Sequence, residues 1–388
     1  MRALARVRHG SAVRGFLRHG LILSLVGLTS LAAVPQAQAN PPSLATLVQQ
    51  AEKGDPRAEL TLGLDYHFGK DGLLKDPAEA GSWIRKSADQ GYPRAEYCLA
   101  VDYDRGDDGL PKDPGEAVSW YRKSADQGYL LAEFNLAIDY NNGYDGLPKD
   151  PAKAVIWFRK SADQGDRKAE YCLAVLYDSG EDGLPKDPAK AVSWYRKSAD
   201  KGYRKAEFYL AADYDFGEDG LPKDPVKAAS WYRKSADQGY RRAEDYLAID
   251  YDRGKGGLPK DPAKAVSWFR KSADKGYRRA EYNLGLNYEL GDDGLPKDPV
   301  KAMYWYKKAA AQEYKLAIAA LQAMQHPQQT VIAQHSAAQA SAAPPADKER
   351  VAQSLQSFWD LYFRASDAKV VDFGAPALVR PVGFGGPP

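Results

Sequence analysis

Few residues in this chain have both the type and the spacing for chemistry. Its two cysteines, Cys98 and Cys172, are too few for a disulfide framework and sit far apart in the chain. Beyond the first 40 residues the histidines are His67, His326 and His335. None lies beside a cysteine or a paired carboxylate, so no metal site or nucleophile–base pair assembles at a visible spacing. No glycine-rich loop follows a strand to cradle phosphate, and no cofactor is expected. The Asp107-Asp108-Gly109 and Asp292-Asp293-Gly294 turns hint at calcium. They lack the spaced ligand series that ends in Glu at the twelfth position, and they read as solvated turns.

What does recur is binding chemistry. Asp65, Asp102, Asp139, Asp213 and Asp250 each precede a tyrosine, and Leu176 and Asn287 interrupt the series. One helical turn earlier the residue varies: Thr61, Cys98, Asn135, Cys172, Tyr209, Tyr246 and Asn283. Positions that vary inside a near-copied unit suit a ligand surface. The candidate partner-binding set is therefore Asp65, Asp102, Asp139, Asp213, Asp250, Asn135, Tyr209, Tyr246 and Asn283, aimed at a partner with basic or polar groups. A second ladder, Arg122-Lys123, Arg159-Lys160, Arg196-Lys197, Arg233-Lys234 and Arg270-Lys271, reads as basic residues late in helices, where they favour the dipole.

The elements that must carry these ladders follow from a repeat. Trp83, Trp120, Trp157, Trp194, Trp231, Trp268 and Trp305 are each 37 residues from the next. A fixed period in this range signals a solenoid. Each unit reads as two helices. Helix A, for example Arg94 to Tyr103, stops at a glycine suited to a left-handed C-terminal position: Gly69, Gly106, Gly143, Gly180, Gly217, Gly254 or Gly291. Helix B starts with Asp as N-cap and Pro at the first helical position, from Asp76-Pro77 to Asp298-Pro299. Ala95, Leu99 and Tyr103 form one stripe of helix A, and Ala117, Trp120 and Ala125 one of helix B. A single pair cannot cover both faces of such a core, so neighbours must. Two periods separate Cys98 from Cys172. With helices packed about 8–10 Å apart, these thiols are out of the roughly 7 Å reach of a disulfide.

At this level the chain resembles a known family. Ala280-Glu281-Tyr282-Asn283-Leu284-Gly285 to Gly291, followed by Asp298-Pro299, Lys301-Ala302, Trp305-Tyr306 and Lys308-Ala309-Ala310, is similar to the Sel1-like repeat, a subclass of the tetratricopeptide-type repeats. The likeness runs over about residues 55–325. It implies an all-α fold, a right-handed α/α superhelical solenoid of about seven 37-residue helix-pair repeats. It further implies an exported adaptor that binds protein or peptide on its concave helix-A face. Some exported relatives carry a cysteine pair per repeat; this chain does not.

The ends differ from the array. Residues 1–39 read as a cleaved signal peptide: Arg2, Arg6, Arg8, Arg14 and Arg18, an apolar run from Leu21 to about Val34, then Ala37-Gln38-Ala39. The run is shorter than the roughly 20 residues that span a bilayer. Its removal would take the formal charge from +2 to −3, and no nucleic-acid partner is expected. Residues 40–325 form the solenoid with a capping helix at each end. Residues 326–347, rich in Ala, Gln, Ser and Pro, read as a flexible linker. In 348–388, Val351, Leu355, Phe358 and Tyr362 fall at helical spacing. The expected function is a non-enzymatic interaction scaffold, periplasmic or secreted. A glycan- or peptidoglycan-acting or -binding envelope protein and a host-interaction factor are the alternatives. Catalysis would need one close pair of buried, pKa-raised carboxylates in a pocket. A mere spacer would show no exposed apolar patch on the helix-A face.

Overall fold

The computed structural model describes residues 43–325, apart from 145, 181–184 and 293. The expected signal peptide, linker and C-terminal amphipathic segment lie outside the described residues. By internal contacts the chain divides between Lys186 and Asp187 into two compact units.

The first unit holds α1 (Leu44–Glu52), α2 (Pro56–Phe68), α3 (Pro77–Asp89), α4 (Pro93–Arg105), α5 (Pro114–Asp126), α6 (Leu130–Asn142), α7 (Pro151–Asp163) and α8 (Arg167–Ser179). The second holds α9 (Pro188–Asp200), α10 (Arg204–Phe216), α11 (Pro225–Asp237), α12 (Arg241–Arg253), α13 (Pro262–Asp274), α14 (Arg278–Leu290), α15 (Pro299–Ala311) and α16 (Lys315–Gln325). Within each unit every helix packs on the one before it and the one after it. Among the described residues there is no strand.

Start and stop chemistry falls where the residues place it. Asp113 Oδ1 accepts from the amides of Gly115 and Glu116, and Pro114 opens α5. Helix A closes at Gly106 with φ +75, where an L side chain is disfavoured and a Cβ would meet Lys112 at about 3.1 Å. The last repeat keeps the corresponding helix-B turn without glycine, since Glu313 adopts φ +58.

The core repeats with the sequence. Ala95 and Leu99 of α4 and Ala117 of α5 are fully buried, as are their counterparts along the array. One detail corrects the expectation of a tryptophan-filled core. The ring buried completely is the next residue, Tyr121, Phe158, Tyr195, Tyr232 or Tyr306, with Ile84 in the first repeat. Apart from the just-buried Trp120, the repeat tryptophans are half-buried. Helix period explains the difference: the residue after Trp falls between Ala117 and Ala125 on the stripe, while the indole lies to its flank.

Candidate functional site

The aspartate ladder is not a solvated face. Asp65, Asp102, Asp139, Asp213 and Asp250 are all buried, Asp213 to 1% exposure. Burial raises the carboxyl pKa of Asp65, of Asp102 and of Asp250, the last to about 6. The charges that bear on them next belong mainly to the turns that fold back behind helix A. Asp71 raises Asp65 further, as Asp108 and Asp107 do Asp102; Lys255 opposes the raising of Asp250 by Asp215. Helix position accounts for this. The Asp precedes Tyr66, Tyr103 and their equivalents by one residue, which turns it inward beneath its own loop. These five candidates thus have almost no surface to offer a partner in the free chain. Of the others, Tyr209 is buried, while Asn135, Tyr246 and Asn283 are half-exposed.

Close carboxylate pairs do exist: Asp65 with Asp71, Asp102 with Asp108, and Asp250 with Asp215. The first two are equivalent pairs in successive repeats, the third joins the helices A of two neighbouring repeats, and several members are engaged. Asp108 takes His67 Nδ1 at 2.7 Å, and Asp215 takes Lys255 Nζ at 2.6 Å. Among the described residues no group of His, Cys, Asp and Glu is arranged to hold a metal ion. Cys98 and Cys172 are buried and form no disulfide, and burial pushes the Cys98 thiol up to about 12.

The basic ladder divides its labour. Each arginine reaches the tyrosine of the next repeat, 18 residues on: Arg122 to Tyr140 at 2.9 Å, Arg196 to Tyr214 at 3.1 Å, Arg270 to Tyr288 at 2.9 Å. Each lysine lies over its own tryptophan, as Lys123 does over Trp120 at 3.5 Å and Lys271 over Trp268 at 3.7 Å. The helix dipole alone does not describe them.

A third ladder was missed. The glutamate after the first helix-A alanine, Glu59, Glu96, Glu133, Glu170, Glu207, Glu244 or Glu281, is buried in every copy. In five copies a glutamine 31 residues on donates to it, for example Gln127 to Glu96 at 2.8 Å and Gln238 to Glu207 at 2.7 Å. Lys275 takes that place beside Glu244. Beside it, Ser124 Oγ donates to the Pro93 carbonyl at 2.6 Å and Ser235 Oγ to that of Arg204. The signal was available: this Glu, in all seven repeats, pairs in register with a Gln or Lys 31 residues later.

The second, sixth, ninth and thirteenth residues of helix A share a side at helical spacing; in α12 and α14 all four are half-exposed or exposed, whereas in α10 Tyr209 and Ala212 are buried. In the second unit the second residues are Lys205, Arg242 and Arg279. The thirteenth are Phe216, Arg253 and Leu290, with Phe216 44% and Leu290 56% exposed. Successive faces lie side by side: Arg242 Nη1 donates to Tyr209 Oη at 3.5 Å, and the Arg279 guanidinium lies 4.2 Å over the Tyr246 ring. Arg279 also pairs with the fully buried Asp245, which stands where most repeats have an aromatic ring.

Helix pairs of one length, piled in sequence order and tied at fixed offsets, define an all-α solenoid. The Sel1 repeat family model matches residues 56–92, 93–129, 130–166, 167–203, 204–240, 242–277 and 278–314. The chain belongs to the Sel1 repeat family. Two solved structures are similar to it. One, from uropathogenic Escherichia coli, is described as a protective antigen with this repeat fold; it is 33% identical, with TM-score 0.58, over 74% of this chain and 68% of its own. The other is a Sel1 repeat protein from Oxalobacter formigenes, 30% identical, with TM-score 0.60, over 72% and 79%. No curated protein matches the chain. Sel1 repeat proteins are generally protein-interaction scaffolds.

Proposed function

We propose that this chain is a non-enzymatic scaffold of the bacterial cell envelope that binds a protein or peptide partner on its helix-A face. The observation that carries this is the pairing, within the second unit, of the exposed apolar side chains Phe216 and Leu290 with residues that differ between otherwise near-identical helices. A spacer has no use for exposed apolar side chains at one repeated position. Single large apolar residues are common on surfaces; their recurrence in register along one face is what supports recognition. The raised carboxylates favour structure over catalysis, because they recur behind several turns while catalysis needs one asymmetric pocket. The envelope assignment rests on the expected signal peptide in residues 1–39.

Two experiments test this. The chain from residue 40 and a version ending at 325 serve as baits, with Phe216→Ser plus Leu290→Ser as the comparison. A partner held by both baits and lost with the double substitution supports the reading. Retention that survives the substitution, or that needs only residues 326–388, overturns the assigned face. Residues 1–39 fused to a phosphatase active only outside the cytoplasm should give activity; a silent fusion overturns the location.

A further inference from the structure

Among the described residues the array stops halfway through a unit. Counted by the 37-residue period, α16 stands where the helix A of an eighth repeat would, with Ala317 on the position of Ala280 and Leu321 on that of Leu284. In the complete repeats the fourth, fifth, seventh and eighth residues of helix A lie under the helix B of the same repeat. The fourth is the buried glutamate that meets the end of that helix, and the seventh is a fully buried leucine such as Leu99 or Leu284. The fifth sets a ring against a helix-B ring, as Tyr97 does with Tyr121 and Tyr282 with Tyr306; at the eighth, a Cβ on Gly285 would press on Tyr306. In α16 the same positions are Ile318, 37% exposed, exposed Ala319 and Gln322, and half-exposed Leu321.

The identities at those positions differ too. An interior glutamate is met by the Gln or Lys 31 residues later, at the end of its helix B; Ile318 asks for no such partner, and the residue 31 later is Glu349. Ala319 stands where most repeats have a ring, so a covering helix has to bring its own bulk. No helix B follows in register. One period after Asp298-Pro299 come His335-Ser336, Ala342 replaces the tryptophan, and Pro344-Pro345 fall inside the span, where proline breaks a helix.

We propose that residues 351–364 take the missing place, as a helix laid along α16 that closes the array. Val351, Leu355, Phe358 and Tyr362 make one apolar stripe, with Trp359, the one tryptophan outside the 37-residue series, beside it. Gln353, Gln356, Asp360 and Arg364 fall on the opposite side, the polar outer face that the end of a solenoid requires. The rings of Phe358 and Trp359 supply the bulk that Ala319 lacks. A connection of 25 residues, 326–350, reaches roughly 25–30 Å on average. That exceeds the about 16 Å length of α16, and the tether holds the segment at an effective concentration on the order of millimolar. A second copy is the poorer occupant, because two α16 faces would meet largely alanine on alanine at Ala319, Ala320 and Ala323.

Hydrogen exchange on the chain from residue 40 to 388, followed by mass spectrometry, tests it. Amides of 351–364 should be protected, at a level that does not change with protein concentration. Ala319→Glu, at an exposed position, should speed exchange in 351–364 roughly tenfold or more. Phe358→Ser plus Trp359→Ser should do the same to 315–325. Amides of α10, α11 and α12 should keep their rates in both variants, which shows that the array still folds. Fast exchange of 351–364 in the unsubstituted chain, or protection there indifferent to Ala319→Glu, overturns the inference. Protection that grows with concentration, together with a dimer that Ala319→Glu dissociates in sedimentation, makes a second copy the occupant and overturns it as well.

Discussion

Asp250 shows how a residue that looks like a binding group can be a cost carried by the fold. Its pKa is about 6 in the folded chain because burial outweighs the help of Lys255 and Arg253. A raised carboxyl binds protons more tightly folded than unfolded, so its contribution to stability is full at low pH and declines as pH rises from about 4 to about 6. Above that range the native state holds an unwelcome charge. The seventh repeat carries Asn287 at this position, also buried. Asp250→Asn is therefore expected to raise the melting temperature at pH 7.5 and to lose that advantage by pH 4, read by circular dichroism at both values. Asp245 differs in having a paired counter-ion: burial raises its carboxyl pKa too, but Arg279 opposes the shift. Asp245→Ala leaves the guanidinium buried without its counter-ion and should cost about 3–5 kcal/mol, measured as a lowered urea midpoint. An unchanged midpoint would mean that water reaches Arg279.

Between neighbouring elements, fit depends on one small residue in the first repeat. Gly81 of α3 lies against the turn after α4, and a Cβ there would sit 2.3 Å from the Asp108 carbonyl oxygen. Most other repeats place valine at this position. The close approach brings Asp108 to His67, a pair special to these two repeats. Gly81→Val should displace the turn, break that pair and cost about 1–3 kcal/mol. A two-dimensional NMR spectrum would show His67 and the amides of residues 107–110 moving while later repeats stay put. Boundaries of this kind were legible from sequence because caps, glycines and prolines act locally: Asp113, Pro114 and Gly106 each fix a helix end by themselves. The sidedness of Asp102 was not legible. Its burial depends on how the turn folds back over helix A, which no spacing within the helix records. The Trp–Lys and Arg–Tyr contacts were half legible, as ladders with no indication that one stays within its repeat while the other crosses to the next.

At the scale of the whole molecule, the array must end somewhere, and its ends show what an interior repeat receives from its neighbours. At the far end α16 packs on α15, and Tyr314, just before it, sets its ring 5.5 Å from Tyr282. Only Ala317 of α16 is fully covered, so this helix closes the stack with one thin stripe. Excising residues 315–325 should expose the outer side of α15, lower the melting temperature and raise binding of a hydrophobic dye. A chain that melts unchanged would show that α15 closes the array by itself.

The ties between helices carry one more implication. The Ser124–Pro93 and Gln127–Glu96 bonds each span 31 residues, and the Arg122–Tyr140 bond spans 18. Equivalent ties recur one period later as Ser161–Leu130, Gln164–Glu133 and Arg159–Tyr177. An unequal crossover between near-identical stretches of the gene, gaining or losing one whole period, would leave each bond a counterpart to form. Such a lineage is free to lengthen or shorten its protein in single steps, and the number of stacked repeats becomes a heritable trait that drifts without passing through unfolded intermediates.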